Sequence, residues 1–397
     1  MRCLKLTSTV EAADLLKSVG VDAYGIKAML LKMTNLNILL EGIKCKVANI
    51  IKQEMLSVGG DAAVSRNSVA CSAEVTDVVI MGTVKQITHF TEKIAVQPFG
   101  LAGISGEIKV LISNMFQDRF ALATNRREIT IGDRTLIMGI LNVTPDSFSD
   151  GGKFHSHEEA VECGVKMLED GADIIDIGGE SSRPGAEAIS VTEEIARVIP
   201  VIKSLAENVN VPISIDTTKS EVAREALECG AEIINDISAM TFDERMSSVA
   251  KKSGAAVILM HIRGTPKTMQ KGNLKYRSVR GDIIEFLKER ISHAKSSGIT
   301  NEKIIIDPGF GFGKTSDDCL KLLNHLNEFK MLGRPIVAGV SRKSFIGKIT
   351  GGEPSDREEG TAAAVTAAIM NGADIIRVHD VKKMKKVVSM ADAIIRA

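Results

Sequence analysis

The sequence predicts an α/β protein: a (β/α)8 TIM barrel preceded by a smaller N-terminal α/β or α+β domain. Three observations carry this. Eight short Ile/Val-rich runs recur between residues 136 and 380. Each is followed by a segment with helical apolar spacing. The repeating part starts near residue 135, and its length matches the roughly 250 residues on which such barrels close.

The N-terminal part lacks that rhythm. Residues 1–7 read as a strand, and 9–18 and 22–34 as helices. NLNILLEG (35–42) is a strand and KCKVANIIKQEMLSV (44–58) a helix. DAAVSRNSVA (61–70) and DVVIMGT (77–83) are candidate strands, and VKQITHFTEKIAV (84–96) and ISGEIKVLISNMF (104–116) candidate helices. DRFALATNRREITIGDR (118–134) is the expected linker, giving domains 1–125 and 126–397.

The barrel runs are LIMGILNV (136–143), ADIIDIGG (172–179), PISIDT (212–217), EIINDIS (232–238), AVILMH (256–261), KIIIDPGF (303–310), PIVAGVS (335–341) and DIIRVHD (374–380). They are too short for helices, and their near-continuous apolar character marks parallel strands buried on both faces. HEEAVECGVKMLEDGA (157–172) and SEVAREALECGA (220–231) show the helical spacing between them. Gly-Ala pairs at 171–172, 230–231 and 372–373 place a helix-ending glycine just before the next strand.

Composition narrows the function. Lys+Arg and Asp+Glu both number 50, so the formal net charge is zero. That argues against a nucleic-acid partner, whose binding needs a broad basic surface. No run approaches the ~18 apolar residues that span a bilayer, and the N-terminus makes a poor signal peptide. The six cysteines show no CxxC or Cys/His ligand spacing and read as reduced, so the expected location is the cytoplasm.

Polar residues gather where the strands end, which is where barrels of this class build active sites. Asp216, Asn235, Asp307 and Lys343 come from four strands and converge on one pocket. They are donors and acceptors suited to a flat heterocycle with amide and amino edges. Arg377 and His379, at alternate positions of the last strand, suit an anion such as phosphate. Asn142 and Asp146 offer hard oxygens suited to Mg²⁺ shared with a phosphorylated substrate. Ser341–Ser344 open a helix whose backbone N–H groups can hold a carboxylate.

Other features read more plainly. GFGFGKTS (309–316) imitates a phosphate-binding loop, but the pattern needs glycine at 308, where Pro308 stands. KKMKK (382–386) reads as the solvated face of the last helix, and His89, His293 and His325 as residues of helical segments. Asp236, His261 and Arg342 are expected to act beside the site as much as in it.

The stretches NVTPDSFSDGG, GGESSRPGA, SIDTTK, INDIS, IIDPGFGFGK, GVSRKSFIG and RVHDV, in this order, resemble the dihydropteroate synthase family over about 137–381. The resemblance implies condensation of 6-hydroxymethyl-7,8-dihydropterin pyrophosphate with 4-aminobenzoate, with Mg²⁺ as cofactor, in a protein that is usually a homodimer. It implies a dissociative course through a pterin cation. Asp216, Lys343, Arg377 and His379 are the implied catalytic residues. Asp216, Asn235, Met260, Asp307, Gly339 and Lys343 are implied to hold the pterin. Phe148, Ser182, Arg183, Pro184, Phe312 and Ser344 are implied to order around aminobenzoate. Asn142, Arg377 and His379 would hold the pyrophosphate, with Asn142 also on the metal, and residues 141–152 would form a loop that closes over it.

One departure is ESSRPG where the family usually has ESTRPG. Ser182 keeps the hydroxyl and loses a methyl, a difference on the order of 1 kcal/mol. A methyltetrahydrofolate:corrinoid methyltransferase-type barrel is the alternative; it needs no pyrophosphate cradle, so the TPDSF, SRKSF and RVHDV segments argue against it. A pterin-binding module without catalysis is the second. The N-terminal part resembles extensions on some bacterial and archaeal members, and a structural or oligomerisation role is the expectation for it.

Overall fold

Residues 1–4, 6, 8–69, 72–144, 157–272 and 274–396 are described by the computed structural model. The chain divides into two units, Met1–Met115 and Phe116–Ala397. Among the described residues no helix is long and apolar enough to cross a membrane.

The first unit is built on three antiparallel strands, β1 (Asn35–Lys44), β2 (Asp61–Val64) and β3 (Val75–Thr83), in the order β1-β3-β2. Alternation decides its core. Ile38, Val78 and Ile80 are buried on one face, while Asn35, Asn37 and Glu41 are exposed. The helices Cys45–Ser57, Val84–Ile94 and Leu101–Met115 contribute Ile51, Met55, Phe90 and Ile108 to the same cluster. A capping box between Thr83 and Gln86 starts the second of them.

Two expectations fail here. No strand forms among the described residues of 1–7. The strand expected over 61–70 stops at Val64, because the N–H and the hydroxyl of Ser68 both bond the Ser65 carbonyl, at 3.0 and 2.7 Å, and turn the chain into the short helix Arg66–Val69.

The expected linker 118–134 is not a linker. It is an antiparallel hairpin of β4 (Phe120–Ala123) and β5 (Glu128–Ile131) within the second unit, so the division falls at 115/116 rather than 125/126. Leu122 and Ile131 are enclosed with Leu136, Met138, Ile174, Ile258, Ile305 and Ile375 from the barrel interior. Thr124 Oγ1 donates to Glu232 Oε2 at 2.8 Å, and Arg127 pairs with the same carboxylate at 2.8 Å. After β5, Gly132 has φ +116°, and a Cβ there would lie 2.0 Å from the Asp118 carbonyl oxygen, so only glycine fits.

The barrel strands are β6 (Leu136–Asn142), β7 (Ile174–Gly178), β8 (Ile213–Asp216), β9 (Ile233–Asp236), β10 (Ala256–Met260), β11 (Ile304–Asp307), β12 (Val337–Ala338) and β13 (Ile375–Val378). All eight expected runs form strands. They pair in parallel in the order β11-β10-β9-β8-β7-β6-β13-β12, and the Ile306–Ile336 bridge closes the ring. Gly171, Gly230 and Gly372 take positive φ between helix and strand, as their spacing predicts.

Period two places the site. Ile175, Ile177, Ile215, Ile234 and Ile376 face outward into the helix-covered core. Ile174, Ile233, Ile305 and Ile375 face inward. Two residues further along, the inward phase reaches Asp176, Asn235, Asp307 and Arg377.

Because Leu122 is part of that interior, Leu122→Ala is expected to cost about 2–4 kcal/mol of stability through the cavity it leaves. Urea unfolding checks this, and an unchanged midpoint would exclude the hairpin from the barrel core.

Candidate active site

Arg377 organises the polar floor of the barrel. Its Nε donates to Asp176 Oδ2 and its Nη2 to Asp216 Oδ2, both at 2.6 Å. Asn235 Nδ2 donates to the same Asp176 oxygen at 3.0 Å. Asp176, Asp216, Asn235 and Arg377 therefore join four strands, β7, β8, β9 and β13. Burial works against the Arg377 charge, but the Asp176 and Asp216 carboxylates more than offset it and raise the guanidinium pKa. Burial pushes the Asp216 carboxyl up to about 7; Arg377 opposes this, and Asp176 adds to it as a second negative charge.

Above this floor lies a narrow cavity. The six residues expected around a heterocycle, Asp216, Asn235, Met260, Asp307, Gly339 and Lys343, all line it, together with Arg377, Ser182 and Phe312. Ile237 and Phe310, unforeseen from the sequence, complete the wall. The Lys343 ammonium lies 4.1 Å from the centre of the Phe312 ring, a cation–π contact. Burial lowers Lys343 to about 8, with Arg377 adding to the effect and Asp307 opposing it.

Asp307 Oδ1 accepts from the Gly309 N–H at 2.7 Å, and burial raises its carboxyl. Gly309 has φ +72°, and a Cβ would stand 2.0 Å from the His261 carbonyl oxygen, so the turn that aims Asp307 needs glycine.

Asn142, Arg183, Pro184, His379 and Ser344 are outside the cavity lining. Asn142 ends β6, and a Cβ on Gly178 would lie 3.8 Å from its Oδ1 and 3.5 Å from Asp216 Cβ. His379 Nδ1 lies 3.0 Å from Ser341 Oγ. Burial, then the charges of Arg377, Arg342, Lys343 and Arg183, push the imidazole down to about 3, so it is neutral at pH 7. Arg183 and Pro184 are exposed on the loop after β7. Glu180 fastens that loop: it accepts from the Ile189 N–H at 3.1 Å and from Lys219 at 2.8 Å, and Lys219 also reaches the buried Glu194. Ser344 is exposed at the start of the helix Ser344–Thr350. Phe148, Asp146 and residues 145–152 of the loop expected to close fall outside the described residues.

Arg342, just before Lys343, has φ +57°, a left-handed conformation rare for a non-glycine residue. Its N–H donates to Thr361 Oγ1 at 3.2 Å and its carbonyl accepts from Arg357 at 3.1 Å, which holds the turn. Asp236 faces outward and accepts from Ser238 and Met240 N–H groups, both at 2.8 Å, shaping a turn rather than lining the cavity. His261 is also outside it. Its Nδ1 lies 2.8 Å from the buried Lys314 ammonium, which donates as well to the carbonyls of His261 and Phe312.

Asp176 and Lys314 are two further residues that sequence reasoning missed. Lys314 is the lysine of the false phosphate loop and ties that loop to the end of β10. Asp176 lies inside an isoleucine run, and the signal that could have found it is its inward phase, two residues after Ile174.

A family model described as pterin binding enzyme matches residues 138–379. A dihydropteroate synthase of Synechocystis sp. is 50% identical over 267 residues, 67% of this chain and 92% of that protein. A probable bifunctional folylpolyglutamate synthase/dihydropteroate synthase of Halobacterium salinarum is 39% identical over 383 residues, 96% of this chain and 46% of that protein, so the match includes the first unit. The solved Xanthomonas albilineans dihydropteroate synthase with 4-aminobenzoic acid is similar at a TM-score of 0.65 and 43% identity, covering 70% of this chain and 99% of that one.

The raised Asp216 carboxyl has a stability consequence. Between its unfolded value of 3.8 and about 7 the folded protein holds a proton that the unfolded chain releases, so stability falls as pH rises through that window. Asp216→Asn removes this titration. Its melting temperature is expected to exceed wild type at about pH 8 and to converge with it below about pH 4. A melting difference independent of pH would contradict the assignment.

Proposed function

The chain belongs to the pterin-binding enzyme family, among its dihydropteroate synthases, and from that premise we propose how its residues divide the reaction. The enzyme is a transferase that joins 6-hydroxymethyl-7,8-dihydropterin pyrophosphate to 4-aminobenzoate, giving 7,8-dihydropteroate and pyrophosphate. One observation carries the division of labour: Asp216, Asn235, Asp307, Lys343 and Arg377, from separate strands or the loops after them, line a single cavity.

The pterin ring occupies that cavity. Acceptor oxygens of Asp216, Asn235 and Asp307 meet its N–H groups, and Lys343 donates to its carbonyl edge. The bond from the pterin methylene to the pyrophosphate oxygen breaks first, and its electron pair leaves with pyrophosphate. Positive charge spreads into the ring. The Asp216 carboxylate, held by Arg377, stabilises that charge in a site fixed before the reaction begins. The arylamine nitrogen then bonds to the methylene carbon and gives up its proton.

Pyrophosphate departs toward the cations around β13. Arg377 supplies charge, and the neutral His379 supplies a hydrogen bond. The donor set also fits Mg²⁺. Among the described residues no three His, Cys, Asp or Glu side chains group as a metal site, and Mg²⁺ commonly binds through substrate phosphates with only one or two protein oxygens. Asn142 Oδ1, at the end of β6, is the oxygen proposed here. When bound, the ion would neutralise negative charge on the leaving group. For aminobenzoate, Ser182 and Phe312 line the cavity side of the route, and Arg183, Pro184 and Ser344 are proposed to form its outer rim.

Release of pyrophosphate from the pterin substrate, measured with and without 4-aminobenzoate, tests the course of the reaction. Lys343→Ala is expected to lower kcat/KM by about 100-fold or more, and near-wild-type turnover would remove Lys343 from the chemistry. Asn142→Ala is expected to raise the Mg²⁺ concentration needed for half-maximal rate more than it weakens pterin binding. An unchanged Mg²⁺ dependence would take Asn142 off the metal.

A further inference from the structure

Asp176 belongs to the buried network yet does not line the cavity. It is fully enclosed. Its Oδ2 accepts from Arg377 and from Asn235, while its Oδ1 has no hydrogen-bond partner. Ser214, its register partner on β8, is enclosed as well, and its hydroxyl also lacks a partner. An enclosed carboxylate with an unpaired oxygen costs stability that an apolar side chain of similar size would not. Packing does not account for the residue.

Its geometry does. An ionised carboxylate only accepts, whereas an amide has one donor end and one acceptor end. Asp176 therefore dictates which way the Asn235 amide lies. Nδ2 turns to Asp176, and Oδ1 is the end left for a ligand. The opposite orientation would set two acceptor oxygens against each other. The same carboxylate oxygen holds Arg377 by Nε, so the guanidinium plane is fixed while Nη2 reaches Asp216.

We propose that Asp176 is a positioning residue that sets the Asn235 amide and the Arg377 guanidinium, so that the cavity presents acceptor oxygens to a donor-bearing ring edge. This rests on the pterin-pocket reading above. Asp176 touches no substrate and acts through its two partners.

Steady-state kinetics on the full chain test it, with wild type assayed first for pyrophosphate release. A wild type that releases none overturns the pocket reading and this proposal with it. With wild type active, Asp176→Ala is expected to raise KM for the pterin substrate about tenfold or more, as loss of a buried hydrogen-bond partner should, and to leave KM for 4-aminobenzoate unchanged. Asp176→Asn keeps an oxygen facing Asn235 and Arg377 and is expected to recover most of that loss. Asn235→Asp alone opposes two carboxylates and is expected to lose pterin affinity. Adding Asp176→Asn to it restores a donor–acceptor pair with its direction reversed, at the cost of facing Arg377 Nε with a donor, and is expected to rescue pterin KM in part. Equal losses toward both substrates in Asp176→Ala overturn the proposal. So do strictly additive effects in the 176/235 cycle, which decides the matter if Asp176→Ala does not fold.

Discussion

A guanidinium shared by two carboxylates lies at the centre of this barrel. Arg377 holds Asp176 through Nε and Asp216 through Nη2, both at 2.6 Å. Two negative charges against one positive leave the group short of a cation. Burial makes that shortage expensive. A ligand that develops positive charge beside Asp216 relieves it. In the course proposed above, the same imbalance would favour the charged species formed when the pyrophosphate bond opens. Stability is given up at the point where charge stabilisation is needed, a common bargain at active sites.

The rest of the barrel serves that arrangement through phase. Strands of two to seven residues alternate between the helix-covered exterior and the interior. The interior is apolar at the hairpin end, where Ile174, Ile233, Ile305 and Ile375 pack, and polar at the opposite end. A one-residue slip in any strand would send an isoleucine into the cavity and a carboxylate into the outer core. Register is fixed because both faces are buried.

Much of this was legible in the sequence. Eight Ile/Val-rich runs gave eight strands, and polar residues breaking those runs, Asp216, Asn235, Asp307 and Arg377, gave most of the cavity. What escaped did so for physical reasons. Asp176 follows Ile174–Ile175 and precedes Ile177, so the run reads as uninterrupted until its inward phase is considered. Asp236 and His261 end strands as the site residues do, but Asp236 has the outward phase and His261 is taken up by Lys314. The burial that keeps His379 neutral, and the repulsion by Arg377, Arg342 and Lys343 that adds to it, arise only when distant segments meet. The hairpin was missed because Phe120–Ala123 and Glu128–Ile131 are short and joined by Thr-Asn-Arg-Arg, without the glycine that signals a tight turn.

That hairpin closes the barrel at the end away from the chemistry. Leu122 and Ile131 fill the opening, and Thr124 and Arg127 neutralise Glu232 beside it. A fragment that keeps this end of the barrel closed therefore begins upstream of Phe120. A truncation at 125/126 would part β4 from β5, uncover the interior isoleucines to water and take the Thr124 hydroxyl from the buried Glu232 carboxylate. The stopper and the cavity are opposite ends of one apolar column, so a fragment cut there would lose its footing before it lost a single active-site residue.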